Sequence, residues 1–228
     1  YTGQAFDMGT ITEKAQNYGC RVGFDLAHAA GNIKMNLHEW GVDFAVWCGY
    51  KYLNGGPGAP STVFIHDRHL GRTDFPGFEG WWGHDKATRF QMPEDFSPLK
   101  TAEAWQLSNP PILSMAPILA SLEIFHEAGM KQLREKSEKL TSYLELLLKS
   151  NLDNKITIIT PTSTKSRGSQ LSIRLKNPIK NIMETLHERE VICDWREPDV
   201  IRVAPVPLYN SFEDCYKFVH ILKKIINE

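Results

Sequence analysis

Asp25 and Lys51 are the residues whose types and spacing suit joint chemistry. Asp25 closes the short apolar run Arg21-Val22-Gly23-Phe24-Asp25. Lys51 stands just past the next such run, Asp43-Phe44-Ala45-Val46-Trp47-Cys48. In an open sheet, neighbouring strands deliver their C-terminal residues to one crevice. A carboxylate and an amine delivered there form either a salt bridge or the two ends of a cofactor site. Spacing alone leaves a third possibility open, in which Asp25 caps the following helix and Lys51 lies on the surface.

Other motifs yield less. Gly56-Pro57-Gly58-Ala59-Pro60-Ser61 imitates a phosphate loop. It leads into a strand and not a helix, and its prolines delete amide donors that a phosphate cradle needs. His66 and His69 form an H-x-x-H pair without a further ligand cluster nearby in the sequence, so they read as two surface histidines at a strand end and no metal is expected. There is no G-x-S-x-G nucleophile elbow.

The elements that must position the acid and the amine read as α/β. A polar, helix-like stretch over 12–18 leads through Gly19 into the first strand. A helix-sized segment separates it from the second, and Thr62-Val63-Phe64-Ile65-His66 makes a third. Short apolar strands without alternation, separated by helix-length segments, predict a sheet covered on both faces. The section from Phe75 to Asn109, rich in Gly, Pro and Trp, reads as long functional loops. Beyond Pro110-Pro111, Met115, Ile118/Leu119, Leu122 and Phe125 mark one helix face, and after Gly129 the pattern resumes at Leu133, Leu140, Tyr143/Leu144 and Leu147. The last third reads as a small α+β domain. Its strands are predicted at 156–159, 170–175, 191–193 and 200–203, with a short helix over 179–188. A terminal helix is capped by Asn210/Ser211, and Phe212, Cys215, Phe218/Val219, Leu222 and Ile225/Ile226 form its apolar stripe.

Composition bounds the partners. The 228 residues carry a formal net charge of −1, with 42% hydrophobic residues, six Trp, seven Tyr and eleven Phe. Such a chain buries a core without disulfide or metal and is not disordered. Near-neutral charge argues against nucleic acid or an anionic membrane as partner, and no apolar run reaches the roughly 18–20 residues of a membrane span. Cys20, Cys48, Cys193 and Cys215 stand far apart, the pattern of reduced thiols in a cytoplasmic protein.

The segments Phe24-Asp25-Leu26-Ala27-His28-Ala29-Ala30-Gly31 and Val42 through Gly58, which contains Cys48-Gly49-Tyr50-Lys51-Tyr52-Leu53-Asn54-Gly55-Gly56, resemble pyridoxal-phosphate enzymes of the aspartate-aminotransferase fold. Within that fold they are similar to the kynureninases. The likeness continues through Gly80-Trp81-Trp82-Gly83-His84, Ser108-Asn109-Pro110-Pro111-Ile112-Leu113 and Ile201-Arg202-Val203-Ala204-Pro205-Val206-Pro207-Leu208-Tyr209-Asn210.

The resemblance implies part of a large cofactor-binding domain, a mixed sheet covered by helices, over 1–108. An interdomain helix over 109–128 and a small α+β domain over 129–228 would follow. It assigns Lys51 to the bond with the aldehyde of pyridoxal 5′-phosphate, which a lysine makes only as the free amine. Asp25 would face the pyridine nitrogen, keeping it protonated so that the ring accepts electrons. Tyr50 would contact the cofactor phosphate and relay a proton, His28 would pack near the cofactor, and Trp81 and Asn109 would contact its phosphate or the substrate's aromatic end, reaching across a homodimer interface. His84 would meet the substrate ring, and Arg202 would hold the substrate carboxylate with its planar fork. The implied reaction is hydrolysis of L-kynurenine or 3-hydroxykynurenine to an anthranilate and L-alanine, in tryptophan degradation and NAD biosynthesis. Family members are roughly twice as long, so the implied N-terminal half, with the phosphate-cradling loop and a ring-stacking aromatic, is expected outside these residues. The alternatives are a sister enzyme on the same fold, such as a cysteine desulfurase or an aminotransferase, or a non-catalytic dimerisation module.

Overall fold

The computed structural model describes residues 1–72, 74 and 77–228; the Phe75 end of the loop section read above lies outside the described residues. Two compact units are present. One comprises Asp7–Gly31 and Met35–Phe125, the other Tyr1–Phe6, Asn32–Lys34 and His126–Glu228. No helix among the described residues is long and apolar enough to cross a membrane.

The N-terminal unit begins with α1 (Met8–Asn17), whose first turn is capped by the Asp7 carboxylate accepting the Thr10 amide at 3.1 Å. Strands β1 (Gly23–Asp25), β2 (Phe44–Cys48) and β3 (Ser61–Ile65) form a mixed sheet in that order, β1 parallel to β2 and β3 antiparallel to it. Aromatic and β-branched residues dominate β2 and β3, as a pleated, packed surface favours. On one face Ala45 is fully buried, while Phe44, Val46 and Val63 on the other are 39–46% exposed. The helix expected between β1 and β2 is replaced by turns. Asp25 turns its carboxylate onto the Ala27 amide at 2.9 Å, an Asx turn that competes with helix initiation, and Gly31 and Gly41 take left-handed φ values of 77° and 69°.

Helix α2 (Ile112–Ala128) buries Ile118, Ser121 and Phe125. Met115, Leu119 and Leu122, expected on the buried stripe, are exposed instead. The face is set by its partners: the Ser121 hydroxyl donates to the Leu53 carbonyl at 2.6 Å, and Ile118 lies against the loop after β2.

The C-terminal unit contains α3 (Met130–Leu152), β4 (Ile156–Ile158), β5 (Leu171–Leu175), α4 (Ile182–Glu188), β6 (Asp194–Arg196), β7 (Val200–Val203) and α5 (Phe212–Asn227). Its sheet is antiparallel, in the order β4-β5-β7-β6. Leu140, Leu144, Leu148 and Leu152 recur at four-residue spacing on α3 and meet Cys215, Phe218, Val219 and Leu222 of α5 in one core. The strand expected at 191–193 starts at Asp194 instead, because those residues finish α4: Glu190 takes a positive φ of 60° and the Val191 amide returns to the Leu186 carbonyl at 2.9 Å. The first residues of the chain run along this unit, with the Tyr1 carbonyl accepting from the Ser172 hydroxyl and the Thr2 carbonyl from the Thr160 hydroxyl, both at 2.6 Å.

Candidate active site

Because β1 and β2 are parallel and adjacent, their C-terminal ends share one crest of the sheet. Asp25 pairs in register with Val46, and the Leu26 amide extends the pairing to the Val46 carbonyl at 2.8 Å, so the acid sits where β1 turns away. Lys51 lies three residues beyond Cys48, the last residue of β2. Asp25 is exposed and Lys51 half-buried.

The loop carrying Lys51 is held by its own backbone. The Gly49 amide donates to the Pro60 carbonyl at 3.1 Å, Gly55 to the Gly49 carbonyl at 2.9 Å and Asn54 to the Lys51 carbonyl at 2.9 Å. A methyl at Gly49 would stand 2.5 Å from the Ile118 side chain and 2.8 Å from the Pro60 carbonyl oxygen, so the loop packs on α2 only because no side chain is there. A Cβ at Gly31 would meet the Tyr52 carbonyl at 2.8 Å, which places the turn after β1 directly against the loop after β2. Asp25 and Lys51 are therefore carried on two segments in contact.

Tyr50 is 53% exposed, with the Lys51 ammonium 5.8 Å from its ring centroid. A hydrogen bond with the Cys48 thiol raises the Tyr50 phenol above its ordinary value, favouring the protonated hydroxyl. His28 is exposed and edges onto the Tyr52 ring, centroids 6.3 Å apart. Trp81, in a 3-10 turn with Trp82 and Gly83, is 42% exposed and packs edge-on against Phe90. Asn109 is exposed just before α2.

His84 occupies a different setting. It is 8% exposed, its Nε2 lies 3.0 Å from the Thr88 hydroxyl, and its Nδ1 accepts the Ser97 amide at 3.2 Å. Both ring nitrogens thus pin the loop that carries Trp81. Arg202 lies in the C-terminal unit on β7 and forms an ion pair with Asp194, its register partner on β6.

Two features escaped the sequence. His66 and His69 are not surface residues; both are buried. His69 Nε2 lies 2.6 Å from Asp43 Oδ1, and His66 Nδ1 lies 2.6 Å from Asp67. Asp43 is itself a hub: its carboxylate accepts the Val22 amide at 2.7 Å and the Arg68 guanidinium at 2.6 Å. Burial raises the Asp43 pKa, but the Val22, His69 and Arg68 hydrogen bonds outweigh it and hold the carboxyl well below the usual range. The available signal was a lone acid opening an apolar strand, which had to find partners from elsewhere in the chain.

An exposed carboxylate, a half-buried amine and an exposed phenol on two touching loops form the donor set that pyridoxal phosphate requires at its ring nitrogen and its aldehyde, so these residues fit the group.

A family model described as the kynureninase C-terminal domain matches residues 133–222. The kynureninase of Myxococcus xanthus (strain DK1622) is 57% identical over 222 residues, covering 97% of this chain and 52% of the relative. That of Koribacter versatilis (strain Ellin345) is 55% identical over 218 residues, covering 96% and 51%. The chain thus spans about half the length of the curated relatives it matches. Among solved structures, the apo cysteine desulfurase of Thermococcus onnurineus NA1 superposes with a TM-score of 0.80 at 15% identity, over 99% of this chain and 57% of that one. The alanine–glyoxylate aminotransferase of Nostoc sp. gives 0.70 at 16%, over 99% and 58%. At such identities the likeness establishes the α/β fold these enzymes share.

Proposed function

We propose that this chain is part of a polypeptide of the kynureninase family, which hydrolyses L-kynurenine, or its 3-hydroxy relative, to an anthranilate and L-alanine. The observation that carries this reading is identity above one half, across nearly all of the chain, to proteins named for that activity. The crest of β1 and β2 supports it independently, with Asp25 at the end of β1 and Lys51 three residues past the end of the adjacent β2.

Bound at this crest, pyridoxal 5′-phosphate supplies an electron sink for cleavage of the substrate's carbon–carbon bond. Asp25 offers its carboxylate to the ring nitrogen. Lys51 Nζ takes the proton from the substrate α-carbon and later returns it. The Tyr50 hydroxyl donates in the later proton transfers. The Arg202 guanidinium holds the α-carboxylate. Trp81 and Asn109 serve the phosphate or the aromatic end of the substrate, with His84 holding the loop that presents Trp81. A homodimer in the cytoplasm completes the reading.

The test uses the full-length polypeptide loaded with pyridoxal phosphate. In Lys51→Arg, anthranilate release from kynurenine should fall by about 10³-fold or more, within the range of general acid–base effects. Borohydride reduction should leave the pyridoxyl label on Lys51 in the parent protein alone. Persistence of both product and label in the variant would overturn the assignment. Sulfur release from cysteine in place of anthranilate release would point to a desulfurase.

A further inference from the structure

His38, His66 and Asp67 each offer one ligand-type atom, the three atoms all lying within 4.8 Å of one another. His66 follows β3 directly, Asp67 opens the 3-10 turn Asp67–His69, and His38 comes from the turns before β2. Since β3 runs antiparallel to β2, this cluster lies at the end of the sheet where β2 begins, and Lys51 lies beyond the end where β2 stops.

The two imidazoles lie together, centroids 4.6 Å apart with planes 17° from parallel; the in-plane lone pairs of parallel rings do not converge, so the exposed His38 ring turns out of the stack to share an ion with His66. The Asp67 carboxylate bridges them, one oxygen 3.2 Å from His38 Nε2 and the other 2.6 Å from His66 Nδ1. Donors around a tetrahedral zinc at about 2.0–2.1 Å stand roughly 3.3 Å from one another, so a turn of the exposed His38 ring together with a shift of the exposed carboxylate is needed to admit an ion. The Arg68 amide faces His66 Nδ1 at 3.3 Å, the long end of the hydrogen-bond range, so an ion that takes the same lone pair displaces only a weak contact.

We propose that His38, His66 and Asp67 form a binding site for a divalent metal of the zinc class, with solvent completing the coordination. Two imidazoles and one carboxylate favour zinc, nickel or copper over magnesium or calcium, which take all-oxygen sets. The His66 side chain is only 11% exposed, which fixes one ligand in place. The His38 and Asp67 side chains are 60% and 65% exposed, which leaves the ion a path of entry. The bound ion would clamp the turn before β2 to the turn after β3.

The experiment takes the full-length polypeptide, treated with chelator and passed into metal-free buffer. Zinc is titrated calorimetrically, and cobalt(II) serves as an optical probe of coordination. One equivalent per chain is expected, with the intense visible cobalt bands of a low-coordinate nitrogen–oxygen site and no competition from magnesium. His38→Ala changes an exposed side chain and should leave the fold intact. It should weaken zinc by more than about tenfold, a scale on which even outer-shell partners act, and Asp67→Asn should weaken it as well. Zinc uptake with unchanged affinity and stoichiometry in His38→Ala would overturn the site, as would the absence of saturable uptake by the parent protein.

Discussion

In the C-terminal unit, Leu140 and Leu148 of α3, Leu171 of β5 and Leu222 of α5 are all fully buried, whereas Phe44, Val46 and Val63 of the N-terminal sheet remain 39–46% exposed. The first region has leucines at helical spacing facing a four-stranded sheet, and its apolar surface is consumed internally. The second holds three short strands with a polar anchor. Asp43 takes the Val22 amide with its side chain, and its carbonyl accepts the His66 amide at 3.0 Å, so one residue ties the start of β1, the start of β2 and the end of β3. One unit rests on a large apolar core; the other adds to a smaller one, built on Val22, Leu26, Leu37, Val42 and Ala45, a single well-bonded acid. The site-bearing unit is the one with apolar surface to spare.

The contrast is sharpened most by removing the acid. Asp43→Ala removes the shared acceptor of the Val22 amide, Arg68 and the buried His69 and should cost about 2–3 kcal/mol, the scale of lost buried hydrogen bonds to a charged group. Hydrogen exchange followed by peptide mapping should accelerate across β1–β3 and leave α3 and α5 unchanged; uniform acceleration would dissolve the distinction between the units. The same residue predicts an acid response. The folded pKa of Asp43 is depressed, so its contribution is complete above the unfolded carboxylate value of about 4 and is lost as pH falls toward the folded value. Exchange in β1–β3 should therefore rise with acidification below about pH 4 in the parent protein and lose that dependence in Asp43→Ala.

Leu222→Ala probes the other side of the comparison. It opens a cavity in the C-terminal core and should cost about 3 kcal/mol in denaturant unfolding of that unit. The smallest effect is expected at the start of α5, where Ser211 and Asp214 form a reciprocal capping box. Ser211→Ala should cost about 1 kcal/mol, with faster exchange confined to the first turn of the helix.

The sequence made regular elements legible where local pattern and tertiary demand agreed. Most of the α3 and α5 stripes read correctly because their period is set by one buried face, although Phe212 is exposed at the start of α5 and Leu148, not Leu147, is the fully buried leucine of α3. The neighbouring placement of Asp25 and Lys51 was legible for a related reason, since short unalternating strands imply parallel pairing and shared ends. What failed depended on partners distant in the chain. The buried side of α2 is chosen by the Leu53 carbonyl, 68 positions before Ser121. His66 and His69 looked solvent-facing because Asp43 and His38, which receive them, lie more than twenty positions earlier. Likewise, no periodicity indicates that residues 1–6 and 32–34 pack with the C-terminal unit, an attachment made by single hydrogen bonds such as the Asn32 carboxamide accepting the Ser169 amide at 2.9 Å.

The Ser121 hydroxyl and the bare backbone of Gly49 have a joint consequence for how this segment can be transplanted. The position of the Lys51 amine is inherited from a helix that contributes nothing to the chemistry. A graft that carried the strands and their connecting turns into a foreign scaffold, without the Ile118–Ser121 portion of α2, would keep Asp25, Tyr50 and Lys51 and lose the packing that holds the loop bearing the amine. Portability of the chemistry is therefore limited by one serine and one missing methyl group.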